Sequence, residues 1–163
     1  MTALQVDIVP FQDHHQADID VFMTMIANEF TDSIFSPQSK TIKEVSLLPT
    51  DKYWVALIDG KVIGTIGLST FQNNAIALKR MFLNEAFRGQ GVSKTLLDTV
   101  VNFAIDNKVS SIYLGTMTQF KAAQKFYEKH GFKRIPQTAL PIEFPVNPVD
   151  KIFYRRGLNK IYR

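Results

Sequence analysis

Cysteine is absent from the 163 residues. That excludes disulfide bonds, thiolate metal sites, a cysteine nucleophile and any ping-pong route through a protein thiol. No apolar run approaches the roughly 18 residues of a membrane helix. The N-terminus, Met1 to Phe11, carries Asp7, lacks a basic region and alternates like a strand, so a signal peptide is not expected. Histidine occurs at His14, His15 and His130 only. The first two are adjacent and would point in different directions on a helix, so no metal constellation forms and no metal is expected. Internal repeats, low-complexity tracts and linkers are also missing.

Basic residues are missing from the first 39 positions, which hold Asp7, Asp13, Asp18, Asp20, Glu29 and Asp32. Residues 79–134 reverse this, with ten basic side chains against Glu85, Asp98, Asp106 and Glu128. The tail from Asp150 adds Lys151, Arg155, Arg156, Lys160 and Arg163. The middle segment suits an anionic ligand and the first a cationic one, although two solvated faces of opposite sign would read the same way. The excess charge sits in a short C-terminal piece rather than a basic stripe, so nucleic-acid binding is not expected. With 45% hydrophobic and 21% charged residues the chain has ordinary globular composition. A chain of this length buries about 70% of its unfolded surface, which is enough for one core. A single domain over residues 1–163, working in the reducing cytoplasm and away from membranes, is the expectation.

The periodicity changes halfway along the chain. Leu4 to Val9 alternates as a strand. Asp13, with Gln16 three positions on, predicts a capped helix whose face is Ile19, Phe22, Ile26 and Phe30. Ser36-Pro37 opens a second helix ending near Pro49. Tyr53–Ile58, the turn Asp59-Gly60, Lys61–Phe71, the turn Asn73-Asn74 and Ala75–Leu83 read as an antiparallel meander. Asn84–Gln90 is a polar loop. Val92, Leu96, Leu97, Val100, Val101 and Ala104 form the stripe of a helix. Ser111–Thr116 is a strand, and Phe120–His130 a helix stopped by Gly131. Phe132–Ile135 and Lys151–Arg156 are strands, separated by a loop with four prolines. A meander followed by strand–helix–strand–helix is a mixed α/β, or α+β, architecture with helices flanking a central sheet.

Arg88-Gly89-Gln90-Gly91-Val92-Ser93 lies between a predicted strand and a predicted helix. Glycines allow tight turning and close approach of the backbone to a ligand. The helix start offers unpaired N–H groups and a partial positive charge, which together suit phosphate. The spacing fits neither a dinucleotide-binding fingerprint nor a P-loop. The segment resembles Arg/Gln-x-x-Gly-x-Gly/Ala, the pyrophosphate loop of the GNAT superfamily of acyl-CoA-dependent N-acyltransferases. Leu78–Leu83 resembles that family's fourth strand. Ala123–Phe132 resembles its second signature, Ala-x-x-Phe-Tyr-x-x-x-Gly-Phe. The resemblance covers essentially the whole chain.

The resemblance implies a GNAT-like fold and transfer of an acetyl group from acetyl-CoA to a primary amine of a small molecule or peptide, by direct attack in a ternary complex. It implies that the backbone of Met81, Phe82 and Leu83 holds the pantetheine arm, with an N–H near Phe82 or Leu83 stabilising the oxyanion. It implies that Arg88, Gly89, Gln90, Gly91, Val92, Ser93 and Lys94 hold the pyrophosphate. Tyr127 matches the general acid of many members; a phenol of pKa near ~10 suits a departing thiolate. A homodimer is compatible with the family. Ser93 departs from the usual Gly or Ala, and Phe120 replaces a frequent Asn that touches the cofactor. The strand positions that often carry a catalytic glutamate hold Ala77 and Gly115 here. Glu29 and Asp32 are the replacements as general base; without a base, a non-catalytic acyl-CoA-binding domain is the alternative. The acidic first segment hints at a cationic acceptor such as a polyamine, an aminoglycoside or a lysine side chain. Lys79 and Arg80 point the other way, to an acceptor bearing a carboxylate or phosphonate, although Arg80 pairing with a structural acid is the plainer reading. Alternation along a strand turns only one of the two toward a cleft. Bulky Met81, Phe82 and Met117 argue against a longer acyl donor.

Overall fold

The computed structural model describes residues 5–31, 34, 40–72 and 74–158. Leu4, Asp32, the start of the expected second helix at Ser36-Pro37, Asn73, Lys160 and Arg163 lie outside them. The elements are β1 (Asp7–Pro10), α1 (Gln16–Ala27), α2 (Ile42–Val45), β2 (Asp51–Ile58), β3 (Lys61–Gln72), β4 (Ala75–Leu83), α3 (Val92–Asp106), β5 (Ser111–Thr116), α4 (Lys121–Lys129), β6 (Lys133–Ile135) and β7 (Ile152–Gly157). The seven strands form one sheet in the order β1-β2-β3-β4-β5-β7-β6. Every neighbouring pair is antiparallel except β4–β5. No described helix is long and apolar enough to cross a membrane.

Local chemistry explains most boundaries. Asp59 and Gly60 have φ of 51° and 79°, the left-handed pair that a two-residue hairpin between β2 and β3 requires. At the end of α4, Gly131 has φ of 90° and the Phe132 N–H donates to the Tyr127 carbonyl, a glycine-dependent helix stop. The start of α1 differs from expectation. The cap lies one residue earlier, where the Gln12 N–H donates to His15 Nδ1 and a 3-10 turn over Asp13–His15 leads into the helix. Gln16 instead joins two helices. Its side chain donates to Asp20 and accepts the Lys43 N–H, fastening α2 to α1. α2 is a single turn, opened by Thr41 and Glu44 in a reciprocal cap.

The two faces of the sheet bury different clusters. On one, α3 and Tyr127 of α4 pack on Ile66, Leu68, Ile76 and Leu78. On the other, Ile19, Phe22 and Ile26 of α1 and Ile42 of α2 pack on Tyr53, Val55 and Val62. Strand β4 serves both, with a change of phase in its middle. Ile76 and Leu78 face the α3 cluster, and so do Met81 and Leu83, whereas Phe82 faces α1. Strict alternation cannot place 78 and 81 on the same face. The extra residue is a β-bulge: Gly67 pairs with Lys79 and Thr65 with Phe82, leaving Arg80 and Met81 opposite Ile66 alone. Arg80 takes φ of 53°, and its carbonyl accepts the hydroxyl of buried Thr65 at 2.7 Å.

Candidate active site

β4 and β5 part company. Their parallel ladder runs from Ala75↔Ser111 only as far as Ala77↔Tyr113, although both strands continue. Beyond that point β5 stays with β7 through Thr116, and β4 is left with an open edge. A cleft of about 970 Å³ opens there, at the upper end of the range for small-molecule sites. It is bordered by β4 from Ala77 to Leu83, the start of α3, Tyr127 and the segment that precedes β7.

The open edge carries backbone groups of known direction. The Asn84 N–H donates to the Ile63 carbonyl, so this residue faces β3; Phe82, two residues back, faces it too. Met81 and Leu83 therefore aim their polar groups into the gap left by β5. This corrects one expected role: the Phe82 N–H is turned away from the cleft, and the donors toward it belong to Met81 and Leu83. Phe82 contributes its ring, which meets Phe120 edge-on at 5.9 Å, as Phe30 does at 4.9 Å. The position where the family often has Asn is thus part of an aromatic wall.

Arg88 is a strut. Its guanidinium donates twice to the Leu83 carbonyl, at 3.1 and 2.8 Å, and makes a two-pronged pair with Glu29 at 2.7 and 2.9 Å. Bidentate geometry of this kind fixes both partners. It locks the end of β4 to the end of α1, and both oxygens of the Glu29 carboxylate accept from it. Lys94 pairs with Asp98 one turn along α3 at 2.8 Å, so its charge is shared. What the loop offers a ligand is therefore its backbone. From Gly89 to Lys94, six consecutive N–H groups find no backbone acceptor among the described residues. Gly89 and Gly91 have φ of 78° and 86°, and the space where their Cβ atoms would lie is open. Gly91 serves as N-cap of α3, so the orphan donors of the first turn, at Val92, Ser93 and Lys94, follow it. Unpaired donors, open space and a helix start fit a pyrophosphate. Gln90 is exposed and points back to the Ala86 carbonyl.

Tyr127 lies at the cleft, 7% exposed, on the face of α4 that packs against the sheet. Burial, then the charge of Asp150, pushes its phenol well above the ordinary range, so it keeps its proton at neutral pH. Asp150 itself is pushed up to about 6 by burial, against the pull of Lys151. Nothing in the sequence pointed to Asp150, which follows a proline-rich loop and precedes β7.

Lys79 and Arg80 both border the cleft, against the expectation from alternation. The bulge is the reason, because the residue it inserts interrupts the pleat between them. Burial lowers the pKa of both, and neither forms an ion pair within the described residues. The nearby acids are engaged. Asp51 accepts the hydroxyls of Tyr53 at 2.7 Å and Thr50 at 2.9 Å, and Glu44 caps α2. Tyr53 reaches across Gly67 to do this; a side chain at Gly67 would overlap the tyrosine ring.

Solved structures share this fold. An acetyltransferase of the GNAT family from Staphylococcus aureus Mu50 superposes with a TM-score of 0.84 at 29% identity, over 95% of this chain and all of that one. The PaiA N-acetyltransferase of Thermoplasma acidophilum, solved in complex with coenzyme A, shares the fold with a TM-score of 0.76 at 18% identity, over 94% of this chain and 99% of that one. The N-acetylaspartate synthetase of Danio rerio is 35% identical over 107 residues, which are 63% of this chain and 38% of that protein. The human protein of that name is 36% identical over 88 residues, 53% of this chain and 29% of its own length. The chain thus spans about a third of these curated relatives. The sequence profile of the acetyltransferase (GNAT) family matches residues 20–132, from α1 through the glycine loop to the stop of α4, and this chain belongs to that family.

Proposed function

We propose that the chain, as one domain over residues 1–163, is a cytoplasmic N-acetyltransferase that moves the acetyl group of acetyl-CoA onto the amine of a small molecule bearing a carboxylate. The observation that carries this reading is the open edge of β4, which starts where its ladder with β5 ends and has the buried phenol of Tyr127 at the same cleft. Acetyl-CoA supplies the acetyl group as a thioester. The N–H groups of Gly89 to Lys94 hold its pyrophosphate, with Arg88 fixing the loop rather than touching phosphate. Met81 and Leu83 offer N–H groups to the pantetheine arm and to the developing oxyanion, a contribution of roughly 3–4 kcal/mol for one such donor. Tyr127, held protonated by its surroundings, gives its proton to the departing sulfur.

The acceptor follows from the cations. Lys79 and Arg80 are half-buried at the cleft without an ion-pair partner among the described residues. A carboxylate on the acceptor completes them, each charge-assisted hydrogen bond contributing about 1.5–3 kcal/mol. The name of the vertebrate relatives, N-acetylaspartate synthetase, is that of an enzyme for an amino dicarboxylate, the same chemistry.

The test has two stages. A co-substrate at ~100 times its Kd adds about 2.7 kcal/mol of stability, a rise of roughly 5–10 °C in Tm for a domain of this size. Acetyl-CoA should give it and an adenine nucleotide much less. Release of CoA is then followed with L-aspartate, other amino acids, and diamines without a carboxylate. Turnover confined to the carboxylate-bearing amines supports the reading; preference for diamines overturns the acceptor class, and no acetyl-CoA shift overturns the whole assignment.

A further inference from the structure

The carboxylate that the family often carries on the fourth or fifth strand is absent here, since those positions are Ala77 and Gly115. The fold refills the gap from another segment. Asn147-Pro148-Val149-Asp150 forms a turn in which the Asp150 N–H donates to the Asn147 carbonyl and the Val149 N–H to the Asn147 side chain. The next N–H, of Lys151, donates to the Thr116 carbonyl at the end of β5. These bonds lay the Asp150 side chain over Gly115. A Cβ built on Gly115 would stand 2.8 Å from Asp150 Oδ2 and 3.1 Å from its Cβ, so only glycine leaves this seat open. Both oxygens of Asp150 accept no hydrogen bond from a described residue, in contrast to Asp51 and Glu29. Asp150 borders the same cleft as Tyr127, Met81 and Leu83.

We infer that Asp150 is the general base of this site: its carboxylate, seated on Gly115, takes the proton from the acceptor amine. The inference rests on the acetyl-transfer reading above. The N–C bond forms as the C–S bond breaks. Of the two protons that the acceptor ammonium sheds, Asp150 accepts one and passes it to solvent. The other replaces the proton that Tyr127 gives to the sulfur. The charged and titratable groups around Asp150 suit this division. Tyr127 faces it from α4, Lys151 adjoins it on its own segment, and Gly115 of β5, which carries no charge, lies against it. A carboxyl lifted by burial is a stronger base than an exposed one, and its negative charge helps to keep the proton on Tyr127.

The experiment uses the full chain as wild type, Asp150→Asn and Asp150→Glu. Kd for acetyl-CoA is measured by calorimetry, and CoA release with L-aspartate and the amino-acid panel is followed from pH 5 to 9. The inference expects acetyl-CoA Kd within about twofold in all three, kcat of Asp150→Asn lower by about 10²–10⁴-fold, and an acid limb near pH 6 in the kcat/KM of the wild type that Asp150→Asn lacks. Asp150→Glu should keep most of the wild-type rate, and formate added to a fourth protein, Asp150→Ala, should restore part of the rate that this substitution removes, which a purely structural role would not allow. An Asp150→Asn protein that folds and keeps its rate within about threefold, or keeps the acid limb, overturns the inference and leaves acetyl transfer standing. A wild type that binds acetyl-CoA but acetylates no amine overturns acetyl transfer itself and this role with it.

Discussion

The two ends of the cleft are built by opposite means. At the end beside α3, the ligand-facing groups are main-chain N–H groups of a glycine loop, and the charged side chains nearby are spent on one another: Arg88 on Glu29 and Leu83, Lys94 on Asp98. At the end beside α2, β4 is paired with β3 alone, and the cleft is bordered by side chains without an ion-pair partner among the described residues, Lys79 and Arg80 above all. The first arrangement offers donors that do not depend on side-chain identity, which suits a pyrophosphate. The second depends on individual residues, which suits the acceptor recognition proposed above. A shared donor substrate and a private acceptor would need this division.

Substitutions should separate the two ends. The largest effect is expected where they meet. Tyr127→Phe removes the acid and leaves the ring packed against Phe132 and Tyr154, so kcat should fall by about 10²–10⁴-fold with acetyl-CoA affinity intact, read by single-turnover rates and calorimetry. Next come the cations. Replacing Lys79 and Arg80 together by Met should raise KM for a carboxylate-bearing amine by roughly 10–100-fold per lost bond, while a diamine tested in parallel gains relative to it. If both acceptors suffer equally, the cations are structural. At the backbone end, Gly91→Ala forces a side chain into left-handed geometry at a cost of about 1–2 kcal/mol. Acetyl-CoA Kd should weaken by about tenfold, with the acceptor KM unmoved.

Smaller effects sharpen the contrast through pH. Asp150 holds its proton more tightly folded, up to about 6, than in the unfolded chain, whose carboxyl titrates near 4. Its contribution to stability is therefore full below about pH 4 and is lost as pH rises through about 6. Asp150→Asn should flatten that decline in Tm, and an unchanged decline would mean that another group causes it. The smallest effect belongs to Glu29→Gln. A partly exposed ion pair contributes about 0–1 kcal/mol, so Tm should fall slightly and kcat stay within about threefold, instead of the 10²–10⁴-fold loss that removing a general base produces.

Much of this was legible in the sequence because it is local. β4 and β5 have the bounds that their apolar runs predict, Ala75–Leu83 and Ser111–Thr116, and the helix stop at Gly131 follows from one residue's φ. The glycine loop before α3 is likewise a matter of adjacent residues. The acceptor end was hidden for three physical reasons. A bulge leaves no mark in a hydrophobic pattern, so alternation assigns Lys79 and Arg80 to opposite faces. The Arg88–Glu29 pair spans 59 positions, and no local rule brings it together. Asp150 reads as one more acid in a proline-rich stretch until the sheet sets it on Gly115. The difference in capping at α1 is of another kind: His15 can accept a hydrogen bond through Nδ1 as well as Gln can, and residue type alone does not choose between them.

The inserted residue at Arg80 behaves like a shift of reading frame within a strand. Upstream of it, even-numbered residues face the α3 core; downstream, odd-numbered ones do. Deleting that residue would bring Met81 and Leu83 round to where Phe82 stands and send Phe82 into the α3 core, with no change of sequence in either half. On the function proposed above, this punctuation mark keeps the second half of β4 in register with the donor substrate and leaves the first half to be rewritten for a new acceptor as long as the mark is kept.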